Sequence, residues 1–144
     1  MYSGLLHAHS GLRWVALVLL VAAVGTGISK WQGRGSYTDG NRKLYLFTLI
    51  SIHTQFILGL ILLFISPKVN FSMLGEKMYR FYSVEHTTGM LIAIALITIG
   101  YSRSKRAADA TTKHRLVGIF YGLGLLLILA SIPWPFRIVG AGWF

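Results

Sequence analysis

Long apolar stretches alternate with short polar connections along this chain. Apolar residues dominate 5–29, 44–66, 81–101 and 115–135. At about 1.5 Å per residue, each stretch as a helix is about long enough to cross a hydrocarbon layer about 30 Å thick. The connections leave no room for a separate soluble domain. The pattern predicts an all-α fold: one polytopic membrane four-helix bundle over residues 1–144.

The punctuation agrees. Gly33, Gly35 and Asp39-Gly40 mark a turn between the first two helices. Pro67 follows the second and does not easily continue it. Residues 102–113 are polar and basic, and the fourth helix ends in Ile132-Pro133-Trp134-Pro135-Phe136-Arg137. That ending, with Trp14, Trp31 and Tyr101, suits the aromatic belt of a membrane interface. The apolar opening lacks a basic n-region and carries Arg13 and two histidines. It reads as a retained first helix and not as a cleaved leader.

Composition strengthens the membrane reading. Mean hydropathy is +0.61 and only 12% of residues are charged, too few to cover a soluble domain of this size. A net charge of +10 raises the question of nucleic acid. The basic residues instead flank the apolar spans. Lys30, Arg34, Arg42, Lys43, Arg103, Lys105, Arg106, Lys113 and Arg115 lie at one end; Arg13, Lys68, Lys77, Arg80 and Arg137 lie at the other. The positive-inside rule then puts the first and third loops in the cytoplasm and both termini on the outer face. With no cysteine, disulfides, cysteine-ligated iron–sulfur clusters and covalent c-type haem attachment are excluded.

The candidate chemistry lies in histidines at membrane depth, where an ionisable or coordinating group is costly and usually binds something or moves charge. His9 sits about 6 Å and His86 about 7.5 Å down their helices from the outer end. The two are nearly level. If the first and third helices are diagonal, a gap of about 11–14 Å suits two imidazoles with an iron porphyrin between them. This points to one haem b with His9 and His86 as axial ligands. Arg13 shares the face of His9 and suits either a haem propionate or snorkelling to headgroups. His7 is an alternative ligand to His9: two residues apart on a helix they cannot share a face, so one points inward and the other meets water. His53 lies about 20 Å from the outer end, and three roles suit it: ligand to a deeper haem, part of a quinone or proton path, or interhelical hydrogen bonding. His114, among basic residues, reads as a solvated loop histidine. Glu85 either accepts a proton released by quinol oxidation or pairs with Arg80 or Arg13. Gly118, Gly122 and Gly124 form a small-residue stripe, read first as packing within the monomer and second as a dimer contact. The stretches after His9 and His86 are similar enough to suggest an internal repeat.

Three stretches carry a family resemblance: Leu5-Leu6-His7-Ala8-His9-Ser10-Gly11-Leu12-Arg13-Trp14, Tyr82-Ser83-Val84-Glu85-His86, and Ser131-Ile132-Pro133-Trp134-Pro135-Phe136. Together they resemble short bacterial four-helix membrane proteins of a cytochrome b-like family. That resemblance implies haem b, electron transfer and the bacterial cytoplasmic (inner) membrane. More distantly, His53-Thr54-Gln55-Phe56-Ile57-Leu58-Gly59 resembles a His-x-Gln-x-x-x-Gly pattern of haem A synthase-like bundles. The expected function is a membrane b-type haem protein passing electrons between a quinol or redox partner and an acceptor. Two alternatives stand beside it: a haem-free structural or assembly subunit, and a haem- or metal-handling membrane protein.

Overall fold

A computed structural model describes residues 1–137, 142 and 143. Four antiparallel helices account for most of it: α1 Tyr2–Gln32, α2 Asp39–Ile65, α3 Lys77–Arg106 and α4 Ala110–Ser131. All four are long and apolar enough to cross a membrane, and the protein is a membrane-spanning four-helix bundle. The first three helices start before and, except for α2, end beyond their apolar stretches. Polar residues in a helix's last turns keep the backbone hydrogen bonds running.

Caps explain the boundaries. Thr38 Oγ1 accepts from Asn41 N–H at 3.2 Å, and Asn41 Oδ1 accepts in return from Thr38 N–H at 3.0 Å, a reciprocal cap that starts α2. Asp109 accepts from Thr112 N–H at 2.8 Å. This starts α4 at Ala110, ahead of its apolar stretch. At the other end Ile132 is extended (φ −67°, ψ 135°), because Pro133 disfavours helix in the residue before it. The fourth helix therefore stops short of the expected 115–135.

The solvation pattern is inverted relative to a soluble bundle. Phe64 is 81% exposed and Val18 69% exposed, whereas Thr48 and His114 are fully buried. Lipid, as apolar as leucine, covers the outside, so association relies on close packing and interhelical hydrogen bonds. Glycines provide the closeness on two seams. A Cβ on Gly27 would lie 2.9 Å from Gly118 N, which locks α1 to α4, and one on Gly124 would lie 2.7 Å from the Ile97 side chain, between α4 and α3. The small-residue stripe of α4 thus packs within the monomer, as expected.

Helices adjacent in sequence are neighbours, and α4 closes back on α1, so α1 and α3 face each other across the bundle. The α2–α3 side is the loosest of the four seams. A cavity lies against it, in the half of the bundle that holds Tyr2 and Gly142.

Candidate functional site

Residues from α1, α2 and α3 line this cavity of about 240 Å³, His9, Arg13, Gln55, Gly59, Tyr82 and His86 among them. The two histidines come together: their ring centroids are 6.5 Å apart, with planes inclined at 78°. His86 is firmly held. Its Nδ1–H donates to the Ser131 carbonyl at 2.8 Å, leaving Nε2 as the lone-pair nitrogen. Ser131 closes the last turn of α4, where the prolines end the helix. Its carbonyl is thereby free of an intrahelical partner.

A local irregularity sets up this side of the cavity. Residues Phe81–Glu85 form a π-helical turn inside α3, immediately before His86. The wider turn carries its own tie, from the Thr87 hydroxyl to the Tyr82 carbonyl five residues back, at 3.0 Å. It puts the Phe81 and Tyr82 rings beside His86, with centroids 6.1 and 6.4 Å away. Single π turns of this kind are frequent at functional sites.

His9 is held differently. Gln55 Nε2 donates to its backbone carbonyl at 2.6 Å. Gly59, one turn further along α2, lies against the ring; a Cβ there would sit 3.1 Å from His9 Cε1. His9 Nδ1 is buried and has no hydrogen-bond partner, as are Gln55 Oε1 and Arg13 Nε. Three buried polar atoms without partners, on residues lining one cavity, are unusual in a folded protein.

Arg13 occupies the cavity wall. Its Nη2 donates to the Trp143 carbonyl at 2.6 Å, and its guanidinium lies 5.2 Å from the Trp14 ring centre. Both expected roles remain chemically open to it, since Nε is unengaged. Glu85 is exposed and its Oε1 pairs with Arg80 Nε at 3.0 Å; this is the ion-pair role. His7 is exposed.

His53 stands apart from the cavity lining. Its Nδ1–H donates to Leu49 O at 2.8 Å, and the Thr98 hydroxyl of α3 lies 3.3 Å from Nε2. It therefore makes an interhelical contact across the α2–α3 seam. His114 overturns the expectation of a solvated loop residue: it is fully buried inside α4. Its Nε2–H donates to Ser36 O at 3.2 Å, and Nδ1 accepts from the Tyr45 hydroxyl at 2.7 Å. The early start of α4 at Asp109, which the run of basic residues obscured, turned this histidine inward. Gln55, Gly59 and Tyr82 in the cavity lining, and Ser131 behind His86, had no site role assigned from the sequence. For the first two a signal existed, since the one-turn spacing of Gln55 and Gly59 places both on one face of α2.

No family model matches the chain, and neither a curated protein nor a solved structure matches it.

Proposed function

We propose that this bundle is a haem-handling membrane protein that takes a b-type haem between His9 and His86. The observation that carries the reading is the paired histidines facing one cavity. Two imidazoles each about 2 Å from one metal place their ring centroids about 6–6.5 Å apart, which the 6.5 Å separation matches. The rest of the donor set fits too. His86 has the outer hydrogen bond that fixes an axial ligand's tautomer and orientation, and Arg13 Nε is free to meet a carboxylate. Among the described residues no group of three or more His, Cys, Asp or Glu gathers. Two protein ligands are what a porphyrin iron takes, whereas a protein-only metal cage takes more. A cavity of about 240 Å³ is below the ~300–1,000 Å³ of ordinary ligand sites. A porphyrin would enter only with the α2–α3 seam, the loosest of the four, spread apart.

When bound, haem supplies one-electron chemistry. His9 and His86 would hold the iron, Arg13 would meet a carboxylate of the group, and Leu6, Leu17 and Ile94 would exclude water. Carriage of electrons between a quinol or redox partner and an acceptor is one use such a haem would serve, with the termini on the outer face of the bacterial cytoplasmic membrane. The resemblance of the His9 and His86 stretches to cytochrome b-like proteins supports the same reading.

A second reading, a haem-free structural or assembly subunit, draws on the interhelical hydrogen bonds of Gln55 and His86, which are those of membrane-bundle packing.

A reduced-minus-oxidised absorption spectrum of the detergent-purified protein, with pyridine-haem quantification, decides between them. About one haem per chain with a six-coordinate spectrum, lost in His86→Ala and kept in His114→Ala, is expected. No haem after haem-supplemented expression leaves the structural subunit. A normal six-coordinate spectrum in His86→Ala removes the ligand pair.

A further inference from the structure

The two histidines are unequally supported. His86 Nδ1 has the Ser131 carbonyl as acceptor at 2.8 Å. His9 Nδ1 is buried with none. A histidine that binds metal through Nε2 carries its hydrogen on Nδ1, and that hydrogen almost always has a partner. The wall around His9 offers one. Gln55 Oε1 is an acceptor, buried and unpartnered, on a residue that already grips His9 through Nε2.

Helix direction explains why these residues meet. Side chains tilt toward the N-terminus of their own helix, so the His9 ring lies above its own carbonyl. Along antiparallel α2 the carbonyl falls opposite Gln55 and the ring opposite Gly59, one turn further on. Any larger residue at 59 would press on the ring edge, since a Cβ there is already 3.1 Å from Cε1. Ser51 Oγ, also buried and unpartnered, is one turn deeper on α2 and outside the cavity lining.

We propose that Gln55 and Gly59 are the positioning residues of His9: Gly59 keeps room for the ring, and Gln55 Oε1 takes the Nδ1 hydrogen when Nε2 binds iron. This rests on the haem reading. It adds that α2, which supplies no ligand, sets the strength and basicity of the α1 ligand.

The test titrates haem into the detergent-solubilised full chain and follows the Soret band, the low-spin fraction and the reduction midpoint. Gln55→Leu, Gln55→Glu and Gly59→Val are compared with wild type, and Thr54→Val, on the lipid side of the same turn, is the control. Circular dichroism and size-exclusion chromatography confirm folding, and Gly59→Ala replaces Gly59→Val if the latter does not fold. Gln55→Leu is expected to weaken haem binding about 10- to 100-fold and raise the midpoint. Gln55→Glu, a stronger acceptor that makes the imidazole more basic, is expected to lower it. Gly59→Val is expected to give a five-coordinate, high-spin form held by His86 alone. A purely structural Gln55 would not move the midpoint in opposite directions for the two variants. Wild-type affinity and midpoint in both Gln55 variants, with a six-coordinate spectrum in the Gly59 variant, overturn the proposal while leaving the haem reading intact. A wild-type protein that takes up no haem overturns both.

Discussion

The bundle carries a buried histidine site at each end, and the two are built on opposite terms. At the basic end, His114 is fully buried and both ring nitrogens are satisfied, by Ser36 and Tyr45. Tyr121 in turn donates to the Tyr45 carbonyl at 2.9 Å, and Tyr37, Tyr45 and Tyr121 pack around the group edge to face or tilted. Nothing there is left to bind. At the terminal end His9 and His86 face a cavity, and three polar atoms around it lack partners. An unsatisfied buried polar atom costs stability, and three of them gathered on one cavity mark a place where a bound group would supply the missing contacts. Burial therefore does not distinguish a structural histidine from a functional one, but hydrogen-bond completeness does.

The contrast predicts a crossing of effects. His114→Ala leaves the fully buried Tyr45 hydroxyl and a cavity without partners, and is expected to cost about 3 kcal/mol while haem binding survives. His9→Ala removes an orphaned nitrogen from an already open wall. It is expected to cost within about 1 kcal/mol while abolishing six-coordinate haem. Thermal unfolding in one detergent, read beside haem stoichiometry, checks both. Equal stability losses at the two sites would dissolve the comparison. Tyr45→Phe is gentler, since it leaves one imidazole lone pair unpaired in a packed site. About 1–2 kcal/mol is expected, with the haem spectrum unchanged.

How much of this the sequence contained differs between the two ends for the same reason. Four spans, their connections and the near-level depths of His9 and His86 follow from one-dimensional counting along helices, because rise per residue is constant. The opposition of α1 and α3, on which the pair depends, does not. It arises from glycine contacts such as Gly27 with Gly118, which need the packed partner to be seen. His114 was misplaced because basic neighbours marked a loop, whereas the Asp109 cap extends α4 to include it. Gln55 and Gly59 were visible as a spacing, but their object is His9, 46 residues from Gln55, and no local pattern gives that.

The loose α2–α3 seam gives a smaller test. There the Thr98 hydroxyl lies 2.7 Å from its own helix's Ile94 carbonyl and 3.3 Å from His53 Nε2. With one hydrogen to give and the shorter bond within the helix, Thr98 contributes little across the seam. Thr98→Val is expected to change stability by less than about 0.5 kcal/mol and to leave haem binding unaltered. A drop as large as that of Tyr45→Phe would make His53 a second structural lock and close the seam that haem entry requires.

The smallest effect belongs to the cap that places His114. Asp109 is exposed, and its carboxyl is held below the ordinary carboxylate value, first by the backbone N–H of Thr112 and then by that residue's side chain. A depressed folded value means the cap's contribution is complete above the unfolded value of 3.8 and is lost as pH falls through the lower folded value. Amide exchange at Thr112 and Lys113, compared between wild type and Asp109→Asn, isolates this. Asparagine caps nearly as well as aspartate but does not titrate. Below about pH 4 the wild type is expected to lose protection at these amides relative to the variant, with no difference near neutrality. Identical protection at both pH values would mean that α4 begins where it does through packing of His114 and not through its cap, and would move the origin of the basic-end lock from the loop into the core.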